Sequence, residues 1–571
     1  MTALVARPVR GARAGDQRQQ LLATQHLRLM VLMLLFAAGV MVVIGRLTLL
    51  GVVAGSERGA SVAAAVPRGD IVDRNGAPLA RTIDAWTIGV HPKKLIGDPS
   101  EIARKLAELM PEKGDQSWFY AQITKPVSFT YLQRRASPAL VEAVNAIGEP
   151  GIVFERETQR LYPQSTLAAH ALGFISGGHG MSGIERALDD RLTNPATVGQ
   201  PVALSLDTRV QAALESELGR AMTTFSARGG GGIVLDVHTG EVLAMVSLPT
   251  FNPNRVGMSG TDQLRNLTTQ SVFELGSTFK PITMATAIDT GVVTSMETRF
   301  DATHPLQVGR YTIHDERGDP KRWLNMAETL IYSSNVATAR VADEIGQQRM
   351  ETMFRKLGFD TRPDIEVREK GRPLWPRYWA RTTTMTTAFG HGIAVTPLHL
   401  ANAYAALVNG GTWRPATLLK LQPGHAPVGR RVISEATSAR MRQMLRLVVM
   451  RGTGRKGDAP GYRVGGKTGT AEAAVAGGYD RSRNVATFVA AFPMDAPRYV
   501  VLAMLDSPQG TKETFGWKTA AWNAAPVVGR TIARVGSLLG VVPDDHRDVD
   551  VSDILPTLWQ GEDDAPKSGG Q

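Results

Sequence analysis

Cysteine is absent from all 571 residues. That excludes a disulfide framework, a thiolate metal site and a cysteine nucleophile. No His-Glu-x-x-His stands anywhere in the chain, so the zinc-protease pattern is missing as well. Zinc-finger spacing, an Arg-rich helix and an RNA-binding aromatic signature are also lacking, which makes nucleic acid a poor match for the formal charge of +11. After about Gly55 no apolar run is long enough to cross a bilayer. What remains is a chain of ordinary hydrophobic and charged content, long enough for two or more domains. Its positive balance suits an anionic surface such as membrane lipid or cell-wall polymer.

The positive charge is uneven. Residues 1–28 hold five arginines (Arg7, Arg10, Arg13, Arg18, Arg28) against one acid, Asp16. Leu29 to Gly45 then carries no charge, and beyond Arg46 the chain stays mostly apolar to Gly55. Roughly 20 such residues span a bilayer, and arginines mark the cytoplasmic side. The expectation is one uncleaved anchor over 29–50 with the tail 1–28 in the cytoplasm and all later residues outside it. A core helix and a cleaved signal peptide, with Ala63-Ala64-Ala65 as the cut site, are the competing readings.

A small, Ala-rich linker over 51–66 leads to Arg68–Ala80, which reads as a hairpin with Asn75-Gly76 supplying the positive φ angles of its turn. Its Arg-Gly-Asp tripeptide is set aside as chance. One helix is expected from near Ser100, with Ile102, Leu106 and Leu109 on one face. A second is capped by Ser137 with Pro138 in its first turn, and a third follows Asp207. Residues 67–222 thus read as a mixed α+β pedestal without a nucleophile motif.

From 223 to 543 a second domain is expected. Gly232 to Val237 and Glu241 to Ser247 read as a hairpin, and Tyr462 to Thr470, Asn484 to Phe492 and Tyr499 to Leu505 as further strands. A helix over Ala520 to Leu539 closes it, and a long helical insert lies between. The order implies an antiparallel sheet flanked by helices. Residues 544–571 are acidic and read as a disordered tail.

Three motifs carry chemistry. Ser277 follows Gly276 and opens an apolar stretch, which places it at a helix N-terminus, where free N–H groups and the dipole favour negative charge. Lys280 lies one turn further on the same face, and a buried lysine near other cations can take a proton from a serine. Ser-x-x-Lys alone should occur about once or twice by chance in a chain this long. Ser333-Ser334-Asn335 separates two apolar helical patches. Ser333 could relay a proton and Asn335 could grip a carbonyl, though a plain helix N-cap also fits. Lys467-Thr468-Gly469-Thr470 lies on a strand. Lys467 adds positive field, Thr468 and Thr470 can bind a carboxylate, and Gly469 clears space for a substrate backbone. Gly461 to Thr468 also fits the spacing of a phosphate loop. That motif needs a strand before it and a helix after it, and neither pattern is present.

The three motifs in this order are those of β-lactamases and penicillin-binding proteins. From Arg68 to about Pro543 the chain resembles the class B penicillin-binding proteins, and within them the cell-division peptidoglycan D,D-transpeptidases of the FtsI type. The likeness extends to Arg160-Leu-Tyr-Pro163, Gly183-Ile-Glu185, Phe251-Asn-Pro-Asn254, Phe389-Gly-His-Gly392 and Gly452-Thr-Gly454. Leu275 departs from it, since relatives often have proline there.

The resemblance implies a serine acyltransferase of bacterial septal wall synthesis, anchored once in the inner membrane with its catalytic domain periplasmic. Ser277 would be the nucleophile, Lys280 the general base, Ser333 the relay and Asn335 a substrate clamp. Lys467 would assist proton transfer and, with Thr468 and Thr470, bind the terminal carboxylate of a stem peptide. The N–H groups of Ser277 and Thr470 would form the oxyanion hole. β-Lactam antibiotics would acylate the same serine, no metal or cofactor would be needed, and a membrane glycan polymerase of the SEDS family and other division proteins would be partners. The alternatives are an elongation-type transpeptidase, a carboxypeptidase or β-lactamase-like hydrolase, for which no water-activating base is evident, and a mainly scaffolding division protein.

Overall fold

The computed structural model describes residues 30–43, 46, 68–316, 318–475 and 478–561. The chain divides into two units, 1–66 and 67–571. In the first, residues 30–43 are helical. Among the described residues no helix is long and apolar enough to cross a membrane. The remainder of the anchor expected over 29–50, the tail 1–28 and the linker 51–66 lie outside the described residues.

The second unit begins with an α+β region. β1 (Ile71–Val72) turns back into β2 (Pro78–Val90), with Ile71 opposite Ala80. This is the expected hairpin, but Gly76 alone takes a positive φ, +87°. Asp73 replaces the second special angle, its carboxylate accepting from the N–H groups of Asn75 and Ala77. α1 (Pro99–Leu109) starts on the side chain of Asp98, which accepts from the Glu101 N–H, and it buries Ile102 and Leu106. β3 (Thr130–Ala136) and β4 (Ile152–Leu161) both pair antiparallel with β2, and α2 (Pro138–Asn145) between them is capped by Ser137. β5 (Val202–Ala203) closes the region by pairing parallel with β1.

Three of the motifs noted in the sequence meet here. Glu185, fully buried, accepts from Arg68 Nε at 2.5 Å, Arg160 Nε at 2.7 Å and the Tyr162 hydroxyl at 3.2 Å. Arg68 also reaches Asp189 at 2.7 Å. Burial works against the Arg68 charge, but Glu185 and Asp189 outweigh it and raise the guanidinium pKa.

α3 (Thr208–Thr224) begins on Asp207, as expected, and leads to the second region. Its sheet is antiparallel throughout, with the strands in the order Gly465–Val475, Gly478–Phe492, Tyr499–Asp506, Gly229–Asp236, Val242–Leu248. The strands are β6 (Gly229–Asp236), β7 (Val242–Leu248), β8 (Gly465–Val475), β9 (Gly478–Phe492) and β10 (Tyr499–Asp506). Both faces are covered, so successive residues serve different cores. Ile233, Val489 and Leu502 face the helical insert. Val234, Phe488 and Val501 face α3 and the closing helix at Ala524–Val535, where they meet Leu214, Leu218 and Ile532. The edge strand β8 is left beside the insert, and the site forms along that edge.

The C-terminal stretch corrects an expectation. Residues 544–561 are not a disordered tail. Val551, Ile554 and Leu558 are buried, and the acids find arginines on the helix Glu435–Arg451: Asp548 with Arg446 at 2.8 Å and Asp553 with Arg440 at 2.5 Å. Thr557 O accepts from Arg299 at 2.6 Å and Asn325 at 2.9 Å. Paired acids and three buried apolar residues hold a segment whose composition alone reads as unfolded. Residues 562–571 lie outside the described residues.

Candidate active site

Ser277 lies in a 3-10 turn, Gly276–Phe279, that runs directly into α4 (Lys280–Asp289) with Pro281 in its first turn. The turn is held from two sides by backbone packing. A Cβ at Gly469 of β8 would come within 2.3 Å of Leu275 O and 2.8 Å of Thr278 Cγ2. The Ser277 turn therefore requires glycine at 469, a reason separate from the substrate backbone expected from the sequence. Gly390, at φ +80°, packs in the same way on Gly276, where a Cβ would meet Gly276 O at 2.3 Å. The Tyr404 hydroxyl, fully buried, donates to Thr278 O at 2.8 Å.

Ser333 comes from the junction of α5 (Met326–Tyr332) and α6 (Asn335–Ile345). Its backbone is left-handed, φ +63° and ψ +36°, at a cost on the order of 1–2 kcal/mol for a residue with a Cβ. Lys280 holds it there. The Nζ donates to Ser333 O and, at 3.1 Å, to Ser333 Oγ. Lys467 Nζ donates to the same Oγ at 3.0 Å. Two amines, both fully buried, thus converge on one hydroxyl. Ser277 Oγ makes no hydrogen bond among the described residues.

The surroundings undercompensate these amines. Burial drives Lys280 down to about 7, against the opposing pull of Asp315, Asp319 and Glu316. Lys467 lies well below its ordinary value through burial and the charge of Lys280, with Asp319 opposing. Asp319 itself is pushed up to about 6 by burial and by Asp315. His391, lowered by burial and Lys280, is 3.7 Å from Glu274, and Glu274 also accepts from the Gly392 N–H at 3.1 Å.

The strand residues divide. Thr468 Oγ1 donates to Thr453 Oγ1 at 2.8 Å, and Lys467 Nζ reaches Thr468 O at 3.0 Å. Thr470 Oγ1 accepts from the Ala520 N–H at 3.1 Å. Asn335 donates one amide hydrogen to His314 O at 3.0 Å. Gly276, Gly469, Lys280, Ser333 and Lys467 are thus brought together, with Thr468 tied in through Lys467.

Asp315 escaped the reading of the sequence. Its carboxylate accepts from Ser334 Oγ at 2.7 Å and from the N–H groups of Asn335 at 2.5 Å and Val336 at 2.9 Å. It caps α6 together with Ser334, whose own Oγ accepts from the Ala337 N–H. One of three acids in a polar stretch, 19 residues before Ser334, carries no local signal for this. Thr453 stood within a quoted likeness but had no assigned contact.

Comparison with known proteins agrees with this geometry. Residues 230–528 match the penicillin binding protein transpeptidase domain, and residues 63–201 the penicillin-binding protein dimerisation domain. The chain is 43% identical over 485 residues to a probable peptidoglycan D,D-transpeptidase FtsI of Caulobacter vibrioides, covering 83% of this chain and 82% of the relative. It is 30% identical over 514 residues to the peptidoglycan D,D-transpeptidase FtsI of Escherichia coli, covering 84% of each. Among solved structures, penicillin binding protein 3 from Mycobacterium tuberculosis complexed with aztreonam superposes with a TM-score of 0.66 at 27% identity, over 84% of this chain and 98% of that one.

Proposed function

The chain belongs to the penicillin-binding transpeptidases, and we propose that it is the peptidoglycan D,D-transpeptidase of cell division, acting through an acyl-enzyme on Ser277. The observation that carries this reading is the convergence of Lys280 and Lys467 on Ser333 Oγ beside the Ser277 turn.

In the first half-reaction Ser277 Oγ attacks the carbonyl of the penultimate D-alanine of a stem peptide. Its proton passes to Lys280, whose depressed pKa leaves much of the amine free at neutral pH. Negative charge on the carbonyl oxygen is met by the N–H groups of Ser277 and Thr470. The C–N bond then breaks, the leaving D-alanine amine takes a proton by way of Ser333 and Lys467, and the acyl group stays on Ser277. In the second half-reaction the amine of another stem attacks the ester, its proton returns along the same relay, and Ser277 is released. Asn335 clamps the stem backbone, and Thr468 and Thr470 with Lys467 bind the terminal carboxylate. A β-lactam enters as a stem mimic and leaves its ring-opened acyl group on Ser277. No cofactor takes part.

The basic residues 1–28 and the apolar stretch after them support an inner-membrane anchor with the catalytic unit periplasmic. The match of residues 63–201 to a penicillin-binding protein dimerisation domain supports a docking role for the N-terminal α+β region, with a membrane glycan polymerase of the division machinery as the partner we propose. Incubation with a fluorescent penicillin followed by peptide mass spectrometry tests the chemistry. A covalent adduct on the Ser277 peptide, absent in Ser277→Ala, is expected together with cross-linked stem dimers from the wild type. Free D-alanine without dimer would replace the transferase by a hydrolase. Normal growth of cells carrying only Ser277→Ala would leave a scaffold.

A further inference from the structure

A surface groove of about 660 Å³ lies between the helix Gln347–Lys356 and the segment 372–379, outside the catalytic cluster. Its floor is aromatic and preorganised. The Arg355 guanidinium lies 4.9 Å from the Trp375 ring centre, and the Trp379 ring packs against it tilted by 50° at 5.3 Å. Trp379 is 5% exposed, and its indole N–H has no hydrogen-bond partner. Leu374, 61% exposed, adds an apolar surface at the rim.

The charges around it are of two kinds. Arg355 is committed to Glu351 at 2.8 Å and Asp360 at 2.6 Å, and Arg381 to Asp343 at 2.6 Å. Arg372 and Arg377 are exposed and have no acidic partner among the described residues. Two guanidinium forks therefore stand free beside an aromatic floor, a combination suited to a carboxylate-bearing ligand with apolar ring faces.

The segment that walls the groove is tied through its backbone to the segments that line the catalytic cleft. Leu374 and Ala394 exchange backbone hydrogen bonds at 2.8 and 3.1 Å, and Ala394 lies two residues beyond Gly392, which holds Glu274. The same segment runs on into the helix Arg381–Thr387, whose Thr382, Thr383 and Thr386 line a cavity shared with Asn335.

We propose that this groove docks a glycan strand of nascent peptidoglycan, with sugar rings on Trp375 and stem-peptide carboxylates on Arg372 and Arg377. This rests on the transpeptidase reading above, and it adds a polymer subsite that the reaction at Ser277 does not itself require. The docking sets how the enzyme engages a polymer, not how fast Ser277 reacts.

The test uses the full chain in detergent micelles and the double variant Arg372→Glu/Arg377→Glu. The probes are uncross-linked glycan strands carrying stem peptides, the same strands stripped of stems by an amidase, and phosphatidylglycerol vesicles. The double variant should bind stem-bearing strands roughly tenfold more weakly and lose most of its salt dependence. Its acylation by penicillin and its turnover of a small thioester donor with a D-amino acid acceptor should match the wild type. Arg372→Lys/Arg377→Lys should recover most of the affinity. Unchanged strand binding in the charge-reversal variant overturns the proposal. So does a loss confined to lipid vesicles, or an equal loss on the thioester substrate. A wild-type enzyme that takes neither penicillin nor thioester would instead refute the transpeptidase reading.

Discussion

Two buried clusters of charge lie in the same unit and follow opposite rules. In the N-terminal region Glu185 is shared by Arg68 and Arg160, with Tyr162 completing its hydrogen bonds. Positive and negative groups touch. In the catalytic region Lys280 and Lys467 share a neutral hydroxyl, while Asp315 is spent on capping a helix and Asp319 is itself pushed toward the neutral form. There the burial of the amines is not offset, and a proton can leave. A buried pair with matched charges holds geometry, whereas a buried pair of like groups around a hydroxyl favours loss of a proton.

The largest effect should come from removing the amine that gives way. Lys280→Met should lower the rate of penicillin acylation by about 10²–10⁴-fold, the usual contribution of a positioned base, with any fall in the thermal midpoint from releasing the Ser333 backbone too small to account for it. Stopped-flow labelling with a fluorescent penicillin, alongside calorimetry, reads both.

The pedestal cluster should answer the other way. Glu185→Ala leaves two arginines without their shared carboxylate and should cost about 3–5 kcal/mol of stability, as breaking a buried pair does. Denaturant unfolding gives the loss, and the acylation rate per folded molecule should stay near wild type. If acylation instead fell as steeply as in Lys280→Met, the two clusters would not be separate in function.

Asp315 belongs partly to each rule, so its variant sharpens the contrast. Asp315→Asn weakens the cap on the helix carrying Asn335, at about 1 kcal/mol. It also removes the carboxylate that opposes the fall in the Lys280 pKa. With that negative charge gone the neutral amine is favoured further, so the midpoint of the acylation pH profile should move below about 7. A midpoint that moves upward would assign Asp315 another role.

The smallest effect is expected at the C-terminal segment's outer ion pair. Asp553→Ala breaks a contact with Arg440 whose side chains are 52% and 30% exposed, and such pairs contribute about 0.2–1 kcal/mol. Ile554→Ala, fully buried in the same segment, should cost about 2–5 kcal/mol. The ratio of the two, measured by denaturant unfolding, tells whether apolar burial or charge holds residues 544–561 in place.

These contrasts track what could be read from the amino-acid order. The groups proposed to react could be picked out because each sits in a short run with its own local logic: Ser277 and Lys280 one turn apart, Ser333 and Asn335 at a helix junction, Lys467 and Thr468 on a strand. The strands of the sheet were legible for the same reason, since their apolar runs are bounded by turns. The acidic composition of 544–561 misled because its partners, Arg440 and Arg446, lie about a hundred residues upstream. Asp315 was hidden because capping at a distance leaves no trace in spacing. Gly469 was noticed for a missing side chain, and the Ser277 turn, distant in sequence, is a second reason for it that the strand alone could not reveal.

The central claim is that Lys280 is the group that gives up its charge near neutrality and receives the Ser277 proton. The direct measurement is the second-order rate constant for acylation of Ser277 by a penicillin between pH 5.5 and pH 9. Below its pKa the amine is protonated and cannot accept. The rate should therefore rise roughly tenfold per pH unit at the acid end, bend near pH 7 and level above it. A rate that is flat across the range, or that climbs without a bend to pH 9 as an ordinary lysine would require, contradicts it.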